Sequence, residues 1–139
     1  MILLDTNVIS ALMQRQPDPV VVGWLDGLPV DSVWLTSVSV FEVRFGIELL
    51  TAGRRRQQLE EAFAKALEED FEGRVLPFDQ TAAQAAAEIA AVQRRAGRAI
   101  EFRDVQIAGI TLARKALLAT RNIKHFEGFG LTLVDPWSA

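Results

Sequence analysis

Three carboxylates in this 139-residue chain stand among apolar neighbours, where a charge needs a partner or a cation. Asp5 ends the apolar run Ile2–Leu4. Glu42 sits within Val40–Phe41–Glu42–Val43. Asp104 opens a segment otherwise carried by Val105, Ile107, Ala108 and Ile110. Hard cations such as Mg²⁺ and Mn²⁺ prefer carboxylate oxygens, and Mg²⁺ retains several waters. Acids gathered without a cation repel one another and repel a phosphodiester, so a cluster of this kind implies a metal. Asp5 and Asp104 also suit the caps of the helices that follow them. Glu42 lies where caps do not occur. Spacing alone leaves both readings open.

Other chemistries lack their residues. There are no cysteines and no tyrosines, and His125 is the single histidine. Thiolate chemistry, a two-histidine ribonuclease, an HExxH protease and a three-histidine zinc site are thereby excluded. No GxSxG accompanies His125 to make a serine triad. No GxGxxG follows the first strand and there is no P-loop, and Gly128–Phe129–Gly130 reads as a turn. The net charge of −3 gives no bulk attraction to nucleic acid. Arg54–Arg55–Arg56 and Arg94, Arg95 and Arg98 are local exceptions, equally suited to solvated helix ends. The N-terminus MILLDTNV lacks the basic lead of a signal peptide, and no apolar run is long enough to span a bilayer. With no cysteines, a cytoplasmic protein without membrane contact is expected.

The elements that must position these acids alternate. Strands are predicted at Ile2–Leu4, Val33–Leu35, Arg74–Phe78, Ala116–Thr120 and Leu131–Val134. Helices are predicted over Thr6–Met13 and Val20–Asp26. A third begins at a Ser37 or Ser39 cap and carries Val40, Val43, Ile47 and Leu50 on one face. A fourth follows Gly53 with Leu59, Phe63 and Leu67 and ends at Gly73. Asp79 caps an alanine-rich helix that runs to Gly97, and a further helix covers Asp104–Lys115. Strands separated by helices imply one domain with a parallel sheet covered on both faces. Such sheets bind ligands beyond the carboxyl ends of their strands, where Asp5 and Asn122 fall.

The blocks MILLDTNVIS, SVSVFEVRFGIELL, FRDVQIAGITLA and LLATRNIKHFEG occur in this order, together with the PFDQTAAQAAAEIA helix and a terminal VDPW. Over nearly the whole chain this resembles the PIN-domain nucleases, and among them the VapC and FitB-type toxins. The resemblance implies a single PIN domain over residues 1–139, a three-layer α/β/α sandwich with a parallel sheet of roughly five strands. It implies a metal-dependent endoribonuclease, the toxin of a toxin–antitoxin pair, that uses a Mg²⁺-activated water, with Mn²⁺ able to substitute. Asp5, Glu42 and Asp104 match the family's metal-binding and catalytic acids, directly or through water. Asn7 and Thr120 match polar positions lining the pocket. The family's fourth acid, when present, falls where this chain has Asn122.

Arg103 and Arg121 flank the matched positions and suit either contact with RNA phosphates or neutralisation of the acids. Glu101, three residues before Asp104, suits either the site or the shaping of the turn. The implied partners are RNA, a second copy of the chain and a cognate antitoxin laying a segment in a groove near the site. Trp24, Leu25 and the helical pair at 40–63 offer apolar surface for it, and suit the core equally. Two other readings remain: a PIN scaffold that binds RNA or protein without cutting, and a phosphoacceptor receiver using Asp79 and Thr120. A receiver carries paired acids after its first strand, has no use for Glu42 or Asp104, and leaves Asp79 better read as a helix cap.

Overall fold

The sheet is built from short strands whose alternate residues enter two separate cores. In the computed structural model, which describes residues 1–139, the strands are β1 (Ile2–Leu4), β2 (Val33–Thr36), β3 (Val75–Leu76), β4 (Leu117–Ala119) and β5 (Thr132–Val134). Leu3, Trp34, Leu76, Leu118 and Leu133 pack on one face. Ile2, Leu4, Val33, Leu35, Val75, Ala119 and Val134 pack on the other. With both faces buried, every strand position favours an apolar residue. The strands therefore read as continuous apolar runs, with no polar alternation.

Seven helices supply the two covering layers: α1 (Thr6–Leu12), α2 (Pro19–Asp26), α3 (Ser37–Glu48), α4 (Arg54–Lys65), α5 (Gln80–Arg95), α6 (Phe102–Ala113) and α7 (Ile123–Phe126). Val8, Ile9, Val21, Val43, Ile47 and Phe63 bring α1–α4 onto one face. Ala82, Ile89, Val105, Ile107, Ile110 and Phe126 bring α5–α7 onto the other. The three-layer sandwich with a parallel five-stranded sheet is as predicted. No helix is long and apolar enough to cross a membrane.

The strand order β3-β2-β1-β4-β5 places the functional end. The chain moves outward from β1 to β2 and β3, then crosses back to lay β4 against the other side of β1. The carboxyl ends of β1 and β4 therefore flank the switch point, where such sheets open a crevice. Asp5 follows β1 and Thr120 follows β4.

Several element ends differ from expectation. The α3 cap is Thr36, whose side chain accepts from Ser39 N, rather than Ser37 or Ser39, and Leu50 lies beyond that helix. Asp104 is not a cap: α6 starts earlier, at Phe102, capped by Glu101, and Asp104 occupies its first turn. The expected third strand shrinks to Val75–Leu76. The four-residue α7 was not expected, being shorter than any helical period reveals. Arg54–Arg56 begin α4, at the dipole end that disfavours cations. Arg56 offsets this by pairing with Glu48 and, at 3.1 Å, with Glu60. Arg94 and Arg95 do lie in the last turn of α5.

Candidate active site

Asp5 is 6% exposed, and its carboxylate accepts three hydrogen bonds. Its Oδ1 accepts from Thr6 N at 2.8 Å. Its Oδ2 accepts from Thr120 Oγ1 at 2.8 Å and from Asn7 Nδ2 at 3.2 Å. Thr120 Oγ1 in turn accepts from Asn122 N at 3.0 Å. Asn7 Oδ1 accepts from Arg121 N at 3.1 Å. Asn7 and Thr120 thus tie β1 to β4 through the carboxylate. Burial raises the Asp5 pKa, opposed by these hydrogen bonds and by the charge of His125.

Glu42 projects from α3 toward α1. Thr36, Ser39, Thr6 and Glu42 form a chain: Thr36 Oγ1 lies 3.2 Å from Ser39 Oγ, and Ser39 Oγ 3.2 Å from Thr6 Oγ1. Thr6 Oγ1 lies 2.8 Å from Glu42 Oε1. A carboxylate only accepts, so the Thr6 proton points at Glu42 and the hydroxyls upstream donate in the same sense. Glu42 Oε2 faces Arg103 Nη1 at 3.5 Å.

Asp104 is half-buried in the first turn of α6, with Oδ2 3.6 Å from His125 Nδ1 on α7. Burial pushes its pKa up to about 6, helped by the charges of Asp5, Glu101 and Glu42 and resisted by His125. The structure therefore brings the four acids into one electrostatic neighbourhood. No three of their carboxylates and the histidine converge as direct ligands of one ion.

Arg103 lies against Glu42 and, at 3.4 Å, against Glu101, so its position is that of a neutralising cation. Arg121 places its guanidinium over Trp137, 4.7 Å from the ring centroid. Glu101 shapes the turn by accepting from Arg103 N. Asn122 is exposed, and its side chain does not cap α7. Asp79 accepts from Ala82 N at 2.9 Å as the cap of α5, the place expected for it.

Sequence reasoning gave no place in the site to Thr6 or His125, and read Ser39 only as a candidate helix cap. His125 was legible only as the single histidine, since nothing local placed α7 beside α6. The donors that suit a hard cation are Asp5 and Asp104, two carboxylates with raised pKa values. Mg²⁺ is commonly held by one or two carboxylates with waters completing the shell, so the donor set fits without a third direct acid.

The PIN domain family matches residues 2–128. The plasmid stability protein StbB of Pseudomonas syringae pv. tomato is 43% identical over 139 residues, covering all of both chains. The VapC ribonuclease Y4jK of Sinorhizobium fredii is 36% identical over 137 residues, 99% of this chain and 98% of the relative. The crystal structure of FitAcB from Neisseria gonorrhoeae superposes with a TM-score of 0.91 at 36% identity, covering all of both chains.

Proposed function

The chain belongs to the PIN-domain family, among the VapC and FitB-type toxins, and from that premise we propose that it is a metal-dependent endoribonuclease. The observation carrying this reading is the pair Asp5 and Asp104, where burial and the Asp5 charge raise Asp104 to about 6. Two carboxylates left in that condition oppose folding, and a divalent cation relieves both. Asp5 and Asp104 would hold Mg²⁺ or Mn²⁺, with Glu42 assisting through water. When bound, the ion would stabilise charge on the phosphoryl group and lower the pKa of an attacking water.

The chain's own residues do the positioning. Asn7 and Thr120 fix the rotamer of Asp5, and their hydrogen bonds favour its charged form against the effect of burial. Thr6 holds Glu42 toward the crevice. His125 stands beside Asp104 Oδ2 at the mouth of the site. Arg103, 45% exposed, is free to exchange its acidic partners for an RNA phosphate. Hydrolysis leaves a 5′-phosphate and a 3′-hydroxyl.

A second reading is favoured by the Glu42–Arg103 pair: a PIN scaffold, already neutralised, that binds RNA or protein without cutting. Incubating the purified protein with total RNA in Mg²⁺ or in EDTA, then sequencing the ends, separates the two. Discrete cuts bearing 5′-phosphates in Mg²⁺ alone are expected. Intact RNA in both, or equal cutting in EDTA, overturns the metal-dependent nuclease.

The cognate antitoxin and a second copy of the chain complete the proposed assembly. Trp24 and Leu25 are half-buried against the core, which leaves them little to offer a partner. The exposed apolar stripe lies instead along α3 and its C-cap Leu49, where Phe41, Phe45 and Leu49 are 57%, 47% and 70% exposed at helical spacing, with Phe41 and Phe45 stacked. Glu42 adjoins this stripe, so an antitoxin segment packed on it reaches the acids with an arginine. Phe41→Asp with Phe45→Asp is expected to weaken capture of the co-expressed antitoxin at least about tenfold, read by calorimetry. Equal affinity places the segment elsewhere.

A further inference from the structure

A cavity of about 590 Å³ opens beside the acids, sharing Asp104 and His125 with them and reaching inward to Gln93. Its size lies in the range of ligand pockets, roughly 300–1,000 Å³. Gln93 lies on α5 and is only 4% exposed, an unusual place for an amide. Its Oε1 accepts from Arg98 Nη1 at 3.1 Å. Arg98 can only donate, so this contact fixes which end of the amide faces it and leaves Nε2 as the free end. Nε2 has no hydrogen-bond partner within the chain, yet no buried side-chain polar atom is sealed off unsatisfied. Nε2 is therefore open to the cavity. Gly128 keeps that end clear: at φ +81° it stands where a Cβ would lie 3.3 Å from Arg98 Nη1 and 3.9 Å from Gln93 Nε2. Ile100 and Phe129 supply apolar wall.

Resting on the nuclease reading above, we propose that this cavity is a nucleobase subsite selecting guanine in the RNA strand that crosses Asp5 and Asp104. Gln93 Nε2 and the remaining guanidinium protons of Arg98 form a donor-only inner end. Guanine presents two acceptors, O6 and N7, on one edge. Adenine presents N7 beside an amino donor, which meets the amide as donor against donor. Uracil offers a single carbonyl on the corresponding edge. Gln93 is thus a specificity residue. It touches the base and leaves the reacting phosphate to the acids.

Gln93→Glu is the discriminating change. A carboxylate still accepts from Arg98, so the local fold is kept while the free donor becomes an acceptor. The probes are guanosine and adenosine 5′-monophosphate, titrated against the metal-free protein by NMR. Guanosine monophosphate is expected to shift the Gln93 side-chain amide signal and to bind about tenfold more tightly than adenosine monophosphate, with Gln93→Glu abolishing the difference. Ile100→Trp, which fills the cavity from its wall and leaves Gln93 itself unchanged, is expected to abolish binding of both and covers any failure of the first variant to fold. In parallel, sequenced cut sites in total RNA are expected to show guanine at a fixed offset, and to lose it in Gln93→Glu. Equal binding of the two nucleotides overturns the subsite. So does a uniform fall in cutting with the base profile intact, which marks a phosphate contact. Selective guanosine monophosphate binding by a protein that cuts nothing would retain the subsite and remove the nuclease reading.

Discussion

Asp104→Asn is expected to lower RNA cleavage by about a thousandfold or more, close to 4 kcal/mol of transition-state stabilisation, while the metal-free protein becomes more stable. The two effects have one cause. In the folded chain the Asp104 carboxyl keeps its proton to about pH 6, against an ordinary value of 3.8. Between those values the folded state binds more protons than the unfolded state. Stability contributed by this group therefore falls as pH rises from about 4 to about 6 and stays low above that. Asparagine has no proton to lose. Its advantage should be absent below about pH 4, grow through that window and be complete at neutral pH.

The full shift corresponds to about 3 kcal/mol, reduced to about 1–2 kcal/mol because the group is only half-buried and water screens it. Saturating Mn²⁺ should reverse the order, since the ion binds the folded aspartate protein and adds its binding free energy to stability. Urea denaturation at pH 4 and 7.5, in EDTA and in Mn²⁺, checks all four corners. An asparagine variant less stable than the natural protein in EDTA at pH 7.5 would show that Asp104 is not under electrostatic strain.

Gly109→Ala should produce the largest loss of stability from a single methyl group. Gly109 is buried where α6 crosses α5. A Cβ there would lie 2.5 Å from the Ala82 carbonyl oxygen, 2.7 Å from Ala86 Cβ and 2.9 Å from Ala86 N. Two of these three neighbours are helix backbone, which cannot swing aside, so α6 must move away from α5. Alanine gains about 1 kcal/mol of helix propensity over glycine. Overpacking at backbone distance costs about 3 kcal/mol or more, so the clash wins. A net loss of about 2 kcal/mol lowers Tm by roughly 6 °C in a domain of this size. Asp104 rides on the same helix, so activity should fall beyond what unfolding explains. An unchanged or raised Tm would show that the two helices part without strain.

The layers were legible in the sequence because burial on both faces leaves the inner strands β1 and β4 wholly apolar. Ile2–Leu4 and Leu117–Ala119 had no alternation to be misread. Asp5 stood out for the same reason, as the first charge after such a run. Long-range partners left no local mark. Arg103 meets Glu42 across 61 positions of chain, and nothing near either residue announces the pair. Nothing local singled out Gln93 in its alanine-rich helix, since its partners Arg98 and Gly128 come from beyond that helix. Asp104 was misplaced as a cap because Glu101, an uncommon cap, starts α6 three residues before it.

Calorimetric titration of Mn²⁺ into the metal-free protein, run beside Asp104→Asn under identical conditions, tests the claim that Asp5 and Asp104 together hold the ion. One site in the natural protein, weakened at least about tenfold in the variant, is the expected result. Equal Mn²⁺ affinity in the two proteins, or no binding to either, would contradict it.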